Sequence, residues 1–326
     1  MCIRDRYIQE AENNIEIAIT ESYLQVLYAA EAVEINKKTV EISAAQCDRA
    51  RELYAAGDIA QSDLAQLISQ YSADKYQLVV AQATLEEKKL ELKQLLELDI
   101  SAVVELNVPA IQESDVLQRL PSKEVVYAAA LDFMPEIKSS QLAVNSAEYD
   151  VAVARSGYLP SLDLTAGIGS THSSGSDYSF SRQMKNNFNE SIGLTLSVPI
   201  YSNRKNKSAV KIARLKVENA DLEYLNMQKD LLKTVETVYL DAVSSQDRYR
   251  SAMESMNAAR QSFALVQEQF NLGMKNTLEM LTEKNNLLIA QQEIIQAKYM
   301  AILSQQLLNF YQGKGIQLGM QTESYR

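Results

Sequence analysis

The fold of this chain is decided by residues 235 to 277, which read VETVYLDAVSSQDRYRSAMESMNAARQSFALVQEQFNLGMKNT. Apolar or small side chains recur at alternating steps of three and four from Val235 to Phe270, with Ser245 at one of these steps. This period is typical of a helix that presents one seam to a neighbouring helix, as in a coiled coil. No proline interrupts the run from Lys205 to Phe270. The sequence therefore predicts one long helix that packs along others and ends in a turn at Gly273.

The same pattern occurs a second time, 216 residues earlier in the chain. The positions that coincide at this offset include Tyr23 with Tyr239, Leu24 with Leu240, Glu52 with Glu268, Gly57 with Gly273, Ala81 with Ala297 and Leu92 with Leu308. One register holds over about eighty residues with the same seam, which isolated chance identities do not explain. The sequence therefore predicts an internal duplication.

Composition is that of long helices with few turns. The 326 residues include only 10 Gly, 5 Pro, 1 His and no Trp. The net charge is −10 and no basic block is present, which disfavours nucleic acid as a partner. Cys2 and Cys47 lack metal-ligand spacing, and His172 lies in a Ser-rich loop away from any candidate nucleophile. We therefore expect no enzyme activity, no cofactor and no metal site.

The repeats divide the chain into four predicted parts. Residues 1–98 form a partial first repeat of long helix, tip turn and return helix, and 99–121 form a connector with Pro109 and Pro121. Residues 122–313 form a complete second repeat, and 314–326 form a tail. The helices are predicted at 7–56, 62–98, 122–132, 136–156, 205–270 and 276–311.

Within the second repeat the period changes from helical to two, which predicts a β-hairpin over residues 161–200. Apolar residues alternate with small polar ones from Leu162 to Ile168 and again from Ile192 to Ile200. Each strand is about nine residues long, enough to cross a bilayer when tilted. The polar segment 170–189 between them is expected to be an exposed loop. The alternation alone also fits a soluble hairpin that packs its apolar face on a helix.

Three phrases carry a resemblance to a known family: GYLPSL at 157–162, IGLTLSVPIY at 192–201 and FNLGM at 270–274. With the order of elements, they resemble the TolC family of outer-membrane efflux proteins, and the resemblance covers residues 7 to 313. It implies a mainly α fold with a β-hairpin, in which long antiparallel coiled-coil helices form an α-helical barrel and the strands join a transmembrane β-barrel.

The resemblance also implies a function. A protein of this kind would be the outer-membrane channel subunit of a tripartite efflux or type I secretion system in a Gram-negative bacterium, with its helical tunnel in the periplasm. It would be a passive homotrimeric conduit whose partners are a periplasmic adaptor protein, an inner-membrane pump of the RND or ABC type, and outer-membrane lipid. A soluble coiled-coil scaffold is the alternative that the long seams alone would satisfy.

The two glycine turns would form the periplasmic tip of such a channel. By resemblance, the residues that would dock the adaptor are Gly57, Asp58, Ile59, Leu272, Gly273 and Met274. Those that would surround the aperture are Asp63, Phe270, Lys275 and Glu279. The two acids have a second interpretation, because Glu279 follows Asn276 at capping-box spacing and acids are favourable at helix starts.

One departure from the family pattern is expected to matter. Family members bring two hairpins per subunit, whereas this sequence contains one, and by the 216-residue offset the other would precede residue 1. Residues 1–6 also lack the apolar core of a signal peptide. We therefore expect an N-terminally truncated chain whose own strands have free edges.

Overall fold

The computed structural model describes residues 2–99, 102, 113–175 and 177–316. The elements in chain order are α1 (Cys2–Ala56), α2 (Gln61–Leu95), α3 (Glu113–Val116), α4 (Lys123–Phe133), α5 (Pro135–Ser156), β1 (Ser161–Gly169), α6 (Phe180–Asn186), β2 (Asn189–Ser197), α7 (Lys205–Asn271) and α8 (Thr277–Tyr311). None of the helices in this part of the chain is apolar enough over a sufficient length to pass through a membrane. Residues 100, 101 and 103–112 of the predicted connector, including Pro109, and 317–326 of the predicted tail lie outside the described residues.

The long helices lie where the period of three and four predicts them. Pro135 opens α5, as expected for a residue whose fixed φ suits the first helical turn. Two boundaries differ from the prediction by more than one residue. α1 already begins at Cys2, and α2 ends at Leu95 rather than at residue 98. The second difference arises because Glu97 adopts a left-handed backbone, with φ of +50°, which stops the helix.

The two strands pair antiparallel and place their apolar residues opposite one another. Leu162 faces Leu196, and Leu164 faces Leu194. One face of the hairpin is therefore apolar except at Glu190, which faces Ile168, while the other carries Ser, Thr, Asp, Asn and Gly. The large apolar side chains on the first face are between 64% and 83% exposed; they are Leu162, Leu164, Ile168, Ile192, Leu194 and Leu196. These side chains are exposed among the described residues, which does not fit a soluble hairpin with its apolar face packed on a helix.

Two predictions about the hairpin are wrong in detail. The second strand spans Asn189–Ser197 rather than 192–200, so Pro199 and Ile200 follow the strand. Proline has no N–H to donate to the ladder, which explains why pairing ends before it. The segment 170–189, predicted as an exposed loop, contains the short helix α6, which is stabilised by the buried Gln183 side chain. Its amide donates to the Tyr178 carbonyl at 2.6 Å, and its oxygen accepts from the Ser173 N–H at 2.9 Å.

The chain divides into two compact units, Met1–Lys138 with Met227–Arg326, and Ser139–Asn226. The smaller unit holds the hairpin, and in it the Asn206 amide donates to the Gly157 carbonyl and so joins the end of α5 to the start of α7. This division follows compactness and not sequence repetition, so it does not test the predicted repeat boundaries, which stay a prediction.

The larger unit has two apolar clusters. The first, which we call the connector cluster, contains Leu24, Leu27, Val116, Tyr249, Ala297, Tyr299, Ala301 and Ile302. The second, which we call the tip cluster, contains Ala50, Leu67, Phe263, Met280, Leu281 and Leu287. Both draw on α1, α7 and α8, as the shared seam predicts.

One glutamine fastens the described end of the connector to α7. The amide Nε2 of Gln246, itself buried, donates to the carbonyls of Val116 and Gln118 at 3.0 and 2.9 Å. Val116 is fully buried in the connector cluster. A polar group at this depth needs such partners, and Gln246 has two.

Candidate functional site: the two tip turns

The turns after α1 and α7 have the same backbone hydrogen bonds. In the first, the Gly57 N–H donates to the Tyr54 carbonyl at 3.0 Å and the Asp58 N–H to the Leu53 carbonyl at 2.9 Å. The second turn repeats both bonds 216 residues later, at 3.0 and 2.9 Å around Gly273. The glycines have φ of +84° and +72°, a left-handed conformation that glycine adopts without strain. Both helices thus end in a Schellman motif, and the duplication extends to single hydrogen bonds.

The residues predicted to dock an adaptor differ in exposure. Leu272 and Met274 are 70% and 71% exposed on the second turn, and Gly57 and Asp58 are exposed on the first. Ile59, in contrast, is half-buried and packs against the tip cluster. The second turn therefore presents the larger apolar surface, and the role of all these residues in docking stays a prediction.

The four predicted aperture residues do not form one network. Lys275 donates from Nζ to Glu279 Oε1 at 2.6 Å, so the second repeat has a local ion pair. Phe270 packs against the tip cluster instead of facing solvent fully. Asp63 is half-buried, and among the described residues it has no ion pair like that of Glu279. The structure joins two of the four residues, and their role at an aperture stays a prediction.

The capping interpretation of Glu279 is confirmed. Asn276 Oδ1 accepts from the Glu279 N–H at 2.8 Å, and the Asn276 N–H donates to Glu279 Oε2 at 3.1 Å, which is a reciprocal capping box. The hydrogen bond from Lys275, followed by that from Asn276, holds the pKa of the Glu279 carboxyl below its ordinary value. At the corresponding position of the first repeat, Ala60 has no side chain that could cap α2.

A buried polar cluster near the tip was missed by sequence reasoning. The Lys284 ammonium on α8 donates to the Asp74 carboxylate on α2 and to the Ser43 hydroxyl on α1. The side chains of Lys284 and Asp74 are only 4% and 5% exposed. A charged residue interrupts an apolar pattern, so the periodicity alone does not mark it as part of the seam. The available signal was that Lys284 stands between Met280 and Leu287 at steps of four and three, on the seam itself.

Among the described residues, no three His, Cys, Asp or Glu side chains are grouped as metal ligands would be. The sole histidine, His172, contacts the Phe180 ring with centroids 5.1 Å apart.

Comparison with known proteins identifies the class. The model of the outer membrane efflux protein family matches residues 126–314, more than half of the chain. The chain belongs to the outer membrane efflux protein family. This membership confirms the predicted family and its outer-membrane location, and the family comprises transport channels.

Curated relatives cover nearly all of this chain. The alkaline protease secretion protein AprF of Pseudomonas aeruginosa is 23% identical over 95% of this chain and 64% of its own length. The outer membrane protein TolC of Escherichia coli K12 is 23% identical over 93% and 62%. The chain thus spans just under two thirds of the length of these two relatives.

Solved structures show the same fold. The outer membrane protein VceC of Vibrio cholerae superposes with a TM-score of 0.75 at 16% identity, covering 97% of this chain and 74% of that one. The outer-membrane channel OprN gives 0.76 at 18% identity, covering 96% and 69%. The predicted mainly α fold with long helices and a hairpin is therefore confirmed.

Proposed function

We propose that this chain is a subunit of a passive outer-membrane conduit for efflux or type I secretion. The observation that carries the proposal is the hairpin, which has one exposed face that is apolar except at Glu190 and one small polar face. Family membership supports the same function. The conduit performs no catalysis of its own, and its transport is driven by a pump in the inner membrane.

The exposed face of the hairpin meets outer-membrane lipid. Each strand has nine residues, the length needed to cross the hydrocarbon layer at a tilt. Leaving six large apolar side chains in water would be costly, whereas lipid accepts them at no such cost. A soluble coiled-coil scaffold, the alternative function, has no use for this face.

Three copies assemble with their helices side by side. The face of α7 and α8 contains an open groove of about 970 Å³, whose lining includes small side chains such as Ser244, Ser251 and Ala252. The exposed face of α2 carries large apolar side chains, among them Tyr76, Val79 and Leu90. Because α2 is the duplicate of α8, an α2 from a neighbouring copy suits this groove in shape and chemistry. The number of copies, three, is taken from the resemblance to the family.

The tip turns dock a periplasmic adaptor protein, which in turn joins an RND or ABC pump. Leu272 and Met274 provide apolar contact area, and Gly57 and Gly273 keep the turns tight. Space is open around both glycines, so a partner can approach the backbone. The relatives' names include protease secretion for AprF and toluene efflux for TtgC of Pseudomonas putida, so the proposal extends to a conduit without a particular cargo.

The membrane assignment is tested by a charge on each hairpin face. Leu194→Asp places a carboxylate on the apolar face, and an acid in lipid is costly enough to block insertion. Ser191→Asp is the matched control, because Ser191 lies on the small polar face of the same strand. We expect the first variant to disappear from outer-membrane fractions and to give no conductance in planar bilayers, while the control behaves as the unmodified chain. Equal membrane content of both variants would contradict the proposal.

The aperture assignment is tested by removing charge without removing the cap. Glu279→Gln keeps a capping-box residue, since glutamine also serves at that position, and Asp63→Asn is its partner change. If the two acids line the aperture, the double variant loses cation selectivity in single-channel recordings, most clearly at low salt. Glu86→Gln, an exposed change far along α2 from the tip turn, is the control. Unchanged selectivity would leave helix capping as the role of Glu279.

A further inference from the structure

The buried cluster of Ser43, Asp74 and Lys284 joins three helices from both repeats. Each polar atom of the cluster has partners. Asp74 accepts from Lys284 and Ser43 at one oxygen and from Gln70 Nε2 at the other, at 2.8 Å, and the Ser43 hydroxyl also lies 2.9 Å from the Thr39 carbonyl. The charges are thus fully compensated despite their burial.

All three cluster residues occupy seam positions. Asp74 follows Leu67 by seven residues, and Ser43 precedes Ala50 by seven; both Leu67 and Ala50 belong to the tip cluster. Lys284 lies between two further members of that cluster. A polar residue at a single seam position of a coiled coil is known to select partner and register at some cost in stability.

The duplication provides an internal comparison. At the 216-residue offset, Lys284 corresponds to Ile68, Asp74 to Ala290 and Ser43 to Ala259. The chain therefore has two equivalent seam positions, one polar and charged and the other wholly apolar. Cohesion alone does not account for the difference, because a buried ion pair can often be replaced by apolar side chains without loss of stability.

We propose that the Asp74–Lys284 pair, with Ser43, determines which helix packs in the α8 position against α1 and α2, and in which axial register. α2 and α8 are duplicates with the same seam, so each could take the place of the other. If α2 and α8 exchanged places, Ile68 would stand in the position of Lys284 and Ala290 in that of Asp74, and the two charged residues would no longer meet beside Ser43. A slip of α8 by one turn, about 5.4 Å, would separate Lys284 from Asp74 in the same way.

The register can be read from a second ion pair. Lys298 Nζ on α8 lies 3.1 Å from a carboxylate oxygen of Glu31 on α1. A carbodiimide condenses such an amine and carboxylate into an amide when they are in contact, so the yield of this cross-link measures the native alignment. The Lys88–Glu91 pair, within α2 at 2.8 Å, cross-links regardless of pairing and serves as the internal reference.

The test compares three variants of the full chain in detergent, with cross-links quantified by mass spectrometry and helix content by circular dichroism. In Asp74→Leu with Lys284→Met, we expect unchanged helix content but at least a threefold fall in the Glu31–Lys298 to Lys88–Glu91 ratio, because other alignments become populated. The charge swap Asp74→Lys with Lys284→Asp is expected to restore the ratio to within twofold. Asp48→Leu with Arg51→Met removes an exposed pair within α1 and is the matched control.

A purely stabilising role would change the melting temperature without changing the cross-link ratio. The proposal is overturned if the apolar pair keeps the wild-type ratio, or if the control variant loses it equally. The result does not depend on conductance, so it stands apart from the test of channel function.

Discussion

The two tip turns share a backbone and differ in side chains. Both end a long helix through the same two hydrogen bonds around a left-handed glycine. The second turn adds a capping box and a lysine–glutamate pair, whereas the first has Ala60 and Ile59 where the second has Asn276 and Lys275. The glycine alone therefore fixes the turn, and the polar contacts are an addition that only one repeat has.

The same contrast appears at the other end of the return helices. Just after α8, the Gly313 N–H donates to the Phe310 carbonyl at 2.8 Å, and just after α2 the Glu97 N–H makes the equivalent bond to the Gln94 carbonyl at 3.2 Å. The offset is again 216 residues, but here the first repeat has glutamate in the left-handed conformation. Backbone geometry has persisted in the two repeats while the residues that favour it have not.

The largest effect is expected at the buried pair, where the repeats differ most. Asp74→Leu leaves the Lys284 ammonium buried without its carboxylate and should cost about 3–5 kcal/mol of unfolding free energy. The double variant with Lys284→Met should recover most of the loss, because an apolar pair there resembles Ile68 and Ala290. Urea unfolding in detergent, followed by circular dichroism, measures both. A single-variant cost below about 1 kcal/mol, as for an exposed pair, would show that the pair is solvated.

The N-terminal cap residues of α8 and α2, Asn276 and Ala60, provide the next test, because each can be replaced by the residue of the other. Asn276→Ala should lose about 1 kcal/mol, because the Glu279 N–H loses its acceptor. Ala60→Asn should gain a similar amount, since Ala60 already has the extended backbone of a cap residue, with φ of −77° and ψ of 156°. Asn285→Ala, an exposed change inside α8, controls for the loss of the amide itself. The unfolding midpoint in urea reports each change; a loss on Ala60→Asn would mean that the two helix starts are not equivalent.

A smaller gain is expected where glutamate replaces glycine. Glu97→Gly should stabilise the chain by about 0.5–1 kcal/mol, because the left-handed strain is removed and only partly offset by backbone entropy. Glu87→Gly, within α2, should instead cost about 1 kcal/mol. Thermal melting distinguishes the two variants.

At the equivalent position of the second repeat, Gly313→Ala should destabilise the chain, since the added Cβ would lie 3.3 Å from the Phe133 ring and the backbone φ is +73°. Equal losses at residues 97 and 87 would refute the interpretation.

The smallest effect concerns pH and the second turn alone. The pKa of Glu279 is lowered in the folded chain, chiefly by Lys275, so its contribution to stability is present above the ordinary glutamate value of about 4.3 and is lost as pH falls through the folded value. Lys275→Met should therefore narrow the stability difference between pH 7 and pH 3. Comparing urea midpoints of the two chains at both pH values checks this. If the variant showed the same pH dependence as the unmodified chain, Lys275 would not be the cause of the shift.

Sequence reasoning predicted the helices, the turns and the hairpin because each has a periodic or steric signature. The seam follows from steps of three and four, and the left-handed turns follow from Gly57 and Gly273. It failed where tertiary contacts decide. α6 depends on the buried side chain of Gln183, which no local period reveals, and Glu97 ends α2 without the usual glycine.

The candidate site was predicted only in part, for a related reason. The capping box follows from the spacing of Asn276 and Glu279, and it is present. The partners of Lys284 lie on two other helices, at Ser43 and Asp74, so its meaning emerges only when the three helices are packed. In the sequence, a charged residue on a seam interrupts the apolar pattern, whereas in the folded chain it can pair with an opposite charge on another helix.

The hydrogen bonds from Gln246 to the connector have an evolutionary consequence. Its amide bonds to the main-chain carbonyls of residues 116 and 118, groups that every amino acid possesses. Substitutions at residue 118 can therefore accumulate without breaking this contact, provided that Gln246 itself persists. A single side chain on a long helix thus allows the sequence beside it to drift while the path of the chain stays the same.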